Sequence, residues 1–198
     1  MKVLELFCGT KSISNAFAAR GHEVYTVDWE KGFEPTLCVD IGTLTAAQII
    51  ELCGGVPDVI WASPDCTTYS VAAISYHRKR EANGNLKAVT DYAKQCDRIN
   101  EHVVDLIHEL HPRYWFIENP RGAMRKMDFM QPLPRYTVTY CKYGETRMKP
   151  TDMMFVCCVF AVFMLLLYQY CGISQPSKLH KFSLPCLSVS LRLWDNED

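Results

Sequence analysis

Two side chains in this sequence have the surroundings a covalent reaction would need. Cys66 is embedded in Pro64, Asp65, Thr67, Thr68 and Ser70, a polar setting in which a thiol is more reactive than within an apolar strand. Its thiolate would be the nucleophile, which requires a pKa below the ~8.5 of a free thiol. Glu118 closes the apolar stretch Tyr114-Trp115-Phe116-Ile117, and a carboxyl against an apolar wall has a cause for a raised pKa, the property of a proton donor near neutral pH. Upstream, Gly9 ends Phe7-Cys8-Gly9, and Asp28 follows 19 positions later (28 minus 9). A glycine turn lets a ligand approach the backbone, and an acid at that distance can accept from both hydroxyls of a ribose, which suits an adenosine-containing cofactor. Gly9 is followed by Thr10-Lys11-Ser12, so the pyrophosphate fingerprint G-x-G-x-x-G is absent and a dinucleotide is disfavoured; the earlier glycine of a P-loop is missing too.

These residues need a frame, and the first 120 residues supply one by alternating short apolar runs with helical patterns. That alternation predicts a doubly wound α/β fold with a mostly parallel sheet. Strands are expected at Val3 to Phe7, Val24 to Val27, Cys38 to Val39, Val56 to Ala62 and Tyr114 to Ile117, with a sixth at Arg135 to Tyr140. Helices are expected at Ser12 to Arg20, ended by Gly21, and at Thr45 to Leu52, ended by Gly54 and Gly55. A long amphipathic helix is predicted from Leu86, Val89, Ala93 and Cys96 through Leu110, since apolar residues recur there at three- and four-residue spacing. In an open parallel sheet ligands bind beyond the carboxyl ends of the strands. Gly9, Asp28, Asp40, Pro64-Asp65-Cys66 and Glu118-Asn119 each follow a strand, so one rim collects a glycine turn, carboxylates and a thiol.

With 21 basic and 22 acidic residues the net charge is −1, so any polyanion must be held by a local patch. The cluster His77-Arg78-Lys79-Arg80, expected in a loop after Cys66, is the best such patch; Arg121, Arg125 and Lys126 are weaker ones. Hydrophobic residues make up 48% of the 198 positions and charged ones 22%, which excludes a disordered or low-complexity chain. The ten cysteines show no C-x-x-C pair and no metal-ligand spacing, so reduced thiols in a cytoplasm, without a metal site, are expected.

Together these residues resemble the DNA cytosine-5 methyltransferases. The first motif of that family, strand then F-x-G-x-G, is similar to Leu6-Phe7-Cys8-Gly9-Thr10-Lys11, with Lys11 in place of the second glycine. The nucleophile motif P-P-C-Q-x-[FY]-S is similar to Pro64-Asp65-Cys66-Thr67-Thr68-Tyr69-Ser70, and E-N-V to Glu118-Asn119-Pro120. The later Q-x-R-x-R resembles Glu145-Thr146-Arg147-Met148-Lys149. The resemblance implies a Rossmann-like fold of the S-adenosylmethionine-dependent methyltransferase type. It implies S-adenosyl-L-methionine as cofactor, at Phe7, Gly9, Asp28, Asp40 and Pro64, and Cys66, Glu118 and Arg147 as catalytic residues. DNA would be held by Ser70, Arg78, Lys79, Arg80 and Lys149. Access to the buried face of the base then requires the nucleotide to leave the stack. A monomer is expected.

The resemblance covers residues 1–152 and stops before a target-recognition domain. Met153 to Tyr168 is a run of sixteen uncharged, mostly apolar residues, where the family would place a core strand from Met153 to Val159. Three accounts of residues 153–198 stay open: a strand followed by an unrelated extension, a buried helix, or a membrane anchor, the last disfavoured because a span needs about 20 apolar residues. Two other functions compete, methylation of an exocyclic amine and a non-catalytic remnant that binds cofactor or DNA.

Overall fold

The computed structural model describes residues 1–82, 84–139 and 148–155. Arg147, Tyr140 and the apolar run and tail beyond Phe155 lie outside the described residues. In chain order the elements are β1 (Lys2–Leu6), α1 (Ser12–Ala18), β2 (Glu23–Asp28), β3 (Leu37–Cys38), α2 (Ala46–Cys53) and β4 (Val59–Ala62). Then come α3 (Ile74–His77), β5 (Arg78–Arg80), β6 (Leu86–Ala88), α4 (Asp91–Leu110), β7 (Tyr114–Pro120), β8 (Arg135–Thr139) and β9 (Pro150–Phe155).

Among the described residues, seven strands form one sheet in the order β3-β2-β1-β4-β7-β9-β8. The first five run parallel, and β9 is antiparallel to both β7 and β8. Chain order runs outward from β1 in both directions, so the topological switch lies between β1 and β4, where a ligand crevice belongs.

The parallel strands are buried on both faces, and the period of two sorts their side chains. Val3, Val59, Trp61 and Phe116 face α1 and its Phe17, together with Val138, Met153 and Phe155. Leu4, Leu6, Ile60, Ala62, Trp115 and Ile117 face the other way, onto Ile49 of α2 and Val103, Leu106, Ile107 and Leu110 of α4. Helices on both faces make the sheet doubly wound, as the alternation predicts.

Several boundaries have local causes. Thr45 caps α2, accepting from the Gln48 backbone N–H at 3.3 Å, and Gly54 ends it at φ 61°. β4 starts later than expected because Pro57 has no N–H to give and the Asp58 carboxylate instead accepts from the Lys2 backbone N–H at 2.7 Å. The long helix is shorter than predicted. Leu86 belongs to β6, which pairs with β5 in an antiparallel hairpin, and Thr90 caps α4 by accepting from the Ala93 N–H at 3.2 Å. Leu86 and Val89 fit a helical period, but hairpin pairing claims Leu86 and the Thr90 cap leaves Val89 outside the helix. The apolar run begins inside the sheet: Met153, Met154 and Phe155 are at most 1% exposed. Position 152 is thus mid-strand. No helix among the described residues is long and apolar enough to cross a membrane.

Candidate active site

The carboxyl ends of β1 and β2 meet in a loop shaped by backbone conformation. Phe7, Gly9 and Lys11 all have positive φ, at 58°, 45° and 57°, a region that costs a side-chain-bearing residue about 1–2 kcal/mol. Asp28, 5% exposed at the end of β2, holds this loop: one oxygen accepts from the Gly9 N–H at 3.1 Å and the other from the Glu30 N–H at 3.0 Å. These two hydrogen bonds occupy two of the about four lone-pair sites of a carboxylate. A Cβ on Gly9 would meet nothing within 4 Å, so the loop is open on that side. The Phe7 side chain packs on the larger core cluster. Asp40, exposed beyond β3, accepts from the Gly42 N–H at 2.9 Å and so starts a 3-10 turn.

Two residues at this end carry no motif signal that would have singled them out. Trp29 is 68% exposed directly after Asp28, an indole left at the rim. Glu5 is 3% exposed in the middle of β1 and accepts from the Ser14 N–H at 2.9 Å, tying α1 to the strand beneath it. Burial pushes its carboxyl up, against hydrogen bonds that pull it down. A lone carboxylate in Val3-Leu4-Glu5-Leu6 was the available signal. Cys8, buried beside Asp28 and Glu5, is pushed up to about 11 by burial and then by those two charges, which keeps it a thiol.

At the ends of β4 and β7 the arrangement depends on side chains. Ala62 and Ile117 are register partners, so Pro64 and Glu118 emerge from neighbouring strands. Asn119, 1% exposed, donates from Nδ2 to the Pro64 carbonyl at 2.9 Å and clips the two ends together. Glu118 and Asn119 point to opposite faces of the sheet. Pro64 is buried, while Cys66 and Glu118 are half-buried. Lys149, exposed just before β9, lies with Glu118 within electrostatic reach of the Cys66 sulfur. Burial pushes the Cys66 thiol up, and the charge on Asp65 adds to that. The backbone N–H of Cys66 and then Lys149 pull it down, and Glu118 opposes them.

The segment carrying Cys66 is fastened to α4. Tyr69, 1% exposed, donates to Asp97 at 2.7 Å and accepts from Asn100 at 2.9 Å. Arg78 donates to both Asp97 oxygens at 2.9 and 2.7 Å, to the Thr68 carbonyl at 3.0 Å and to the Thr68 hydroxyl at 3.1 Å. Its guanidinium also lies 4.2 Å from the centre of the Tyr69 ring. This corrects the expectation that Arg78 is part of a DNA-facing patch in a loop. Arg78 is 3% exposed, and its buried guanidinium is paired with the half-buried Asp97 carboxylate.

Lys79 and Arg80 follow it in β5 and are exposed. Lys79 faces Lys87 directly across the hairpin, and Glu81 lies 3.9 Å from the Lys87 ammonium and offsets that like-charge pairing. Ser70 is half-buried after the Cys66 turn and accepts from the Ile74 N–H at 3.0 Å through its carbonyl. Arg125 is committed elsewhere, forming a bidentate pair with the buried Asp152 of β9. Gly122, missed by sequence reasoning, lets the loop after β7 pack on the Cys66 segment: a Cβ there would stand 2.7 Å from the Tyr69 carbonyl oxygen.

A DNA modification methyltransferase encoded within a prophage, from E. coli, superposes with a TM-score of 0.57 at 19% identity over 78% of this chain and 46% of that one. The Dnmt2 methyltransferase of S. pombe gives 0.55 at 13% identity over 78% and 50%, and the Entamoeba histolytica methyltransferase EhMeth gives 0.54 at 15% over 78% and 52%. The chain spans about half the length of these proteins. No family model and no curated protein matches it. The seven-stranded sheet with its antiparallel β9 therefore has the α/β fold shared by these methyltransferases.

Proposed function

We propose that this chain transfers a methyl group from S-adenosyl-L-methionine to carbon 5 of cytosine in DNA, through a covalent adduct with Cys66. The observation that carries the reading is the pairing of β4 with β7 in register, clipped by Asn119 on the Pro64 carbonyl, which sets the strand ends that bear Cys66 and Glu118 side by side. The fold likeness to methyltransferases supports it independently.

The residues at the β1 and β2 ends fit the cofactor: an open face over Gly9, the Asp28 carboxylate, an exposed indole in Trp29 for a flat ring, and Asp40 farther along the rim. When bound there, S-adenosylmethionine supplies an electrophilic methyl group. The Cys66 thiol must first lose its proton, which Lys149 favours and Asp65 opposes. The thiolate then adds to carbon 6 of cytosine while Glu118 hydrogen-bonds and protonates ring nitrogen 3, which makes carbon 5 electron-rich. After methylation carbon 5 gives up its proton to a water molecule, the freed electron pair expels the sulfur from carbon 6 as thiolate, and Glu118 recovers its proton from nitrogen 3. Arg147, outside the described residues, is assigned to hold the base from its motif alone. Ser70, Lys79, Arg80 and Lys149 are the candidate contacts to the strand.

DNA containing 5-fluorocytosine tests this, because fluorine cannot leave as a proton does and the adduct is trapped. The expected result is a denaturant-resistant protein–DNA band that requires S-adenosylmethionine and is lost in Cys66→Ser. Methyl transfer retained by Cys66→Ser, or methylation found on an exocyclic amine without an adduct, would overturn the proposal.

A further inference from the structure

The position next to the sulfur departs from the motif it resembles: Asp65 stands where P-P-C has its second proline. A proline there restrains the chain through its ring. Asp65 restrains it by hydrogen bonds. One carboxylate oxygen accepts from the Thr67 backbone N–H at 3.0 Å and from the Thr67 hydroxyl at 2.7 Å, closing an Asx turn over Cys66. The other accepts from the hydroxyl of Tyr92, in the first turn of α4. That turn starts the 3-10 segment Thr67–Tyr69, with Cys66 in its cap position at φ −93° and ψ −6°. Together with the Tyr69 bond to Asp97, the Cys66 segment is tied to α4 on both sides of the sulfur.

We propose that Asp65 is a positioning residue for Cys66, a carboxylate that ties the segment bearing the sulfur to α4 through Tyr92 and sets the charge beside which the thiol ionises. Burial works to raise the Asp65 carboxyl, but the hydrogen bonds from Tyr92 and Thr67 outweigh it, so the group is anionic at neutral pH. The charges acting on the sulfur are Asp65 from its own segment, Glu118 from β7 and Lys149 from the start of β9. Of the two carboxylates, Asp65 has the larger effect. A proline at this position would keep the restraint and drop the charge. In this chain burial is the larger cause that raises the Cys66 thiol, and the Asp65 charge adds to it.

The catalytic consequence rests on the function proposed above, but the test does not. The full-length chain is alkylated with iodoacetamide from neutral to alkaline pH, and modification of Cys66 is read from its peptide by mass spectrometry. In Asp65→Asn and Asp65→Pro the midpoint of the Cys66 profile falls by roughly half to one pH unit, the change expected on removing one adjacent, partly screened charge. In Tyr92→Phe the charge stays and the tie is lost, so the midpoint does not fall while amide exchange of the Cys66 segment speeds up about tenfold. An unchanged midpoint in both Asp65 variants, or unchanged exchange in Tyr92→Phe, overturns the inference. Alkylation needs neither DNA nor cofactor, so this result is independent of whether the fluorocytosine adduct forms.

Discussion

At the carboxyl end of β1 the chain is shaped by its own backbone: Phe7, Gly9 and Lys11 take positive φ, and one carboxylate, Asp28, pins the loop. At the end of β4 the segment around Cys66 has ordinary backbone angles and is held by side chains, through Asp65, Thr68 and Tyr69 on one side of the contact and Tyr92, Arg78, Asp97 and Asn100 on the other. The first design leaves an open surface on which a ligand can lie close to backbone. The second fastens the segment that bears the Cys66 sulfur to helix α4. The proposed function would use that difference: a loop that binds needs access, whereas a nucleophile needs a defined position, because a displacement of about 1 Å costs on the order of 100-fold in rate.

The largest effect that would break this contrast lies at the sulfur. Cys66→Ser is expected to lower methyl transfer by at least about 10⁴-fold with no change in melting temperature; retained transfer would mean that the side-chain scaffold serves something other than a nucleophile. Next comes the scaffold itself. Asp97→Ala leaves the Arg78 charge buried and unpaired and should cost about 3 kcal/mol by chemical denaturation. The two glycines then separate the regions cleanly. Gly122→Ala drives a Cβ to 2.7 Å from the Tyr69 carbonyl oxygen and should cost about 2 kcal/mol, because backbone must move. Gly9→Ala meets nothing within 4 Å and bears only the strain of φ 45°, so about 1 kcal/mol is expected. The smallest effect is on the hairpin: Lys79→Ala should leave stability unchanged and reduce the log–log salt slope of DNA binding by about one. Arg78→Ala, if it changed only that slope and not stability, would contradict the buried role of this arginine.

The strands, α2 and the rim were legible because their signals are local. Val3 to Phe7, Val24 to Val27 and Tyr114 to Ile117 read as buried strands from composition, and the structure has a strand at each of the three. Thr45 and Gly54 mark α2 by capping chemistry alone. The β5–β6 hairpin was not legible. Its three-residue strands carry no alternation, and Leu86 falls in phase with the helix that follows.

Residue types, strand ends and apolar periods, all readable within a few positions of one another, were enough to establish a doubly wound parallel sheet with a thiol and carboxylates along its carboxyl rim. Which cation faces solvent and which is buried was decided by tertiary contacts: His77-Arg78-Lys79-Arg80 is one basic run in sequence, but Asp97, 19 positions from Arg78, takes that one side chain into the interior. The same holds for the clip from Asn119 to Pro64, 55 positions apart, and for the charges that bear on Cys66. Local sequence sets backbone conformation and burial tendency, whereas the ionisation and orientation of a side chain depend on partners that only folding brings within a few ångströms.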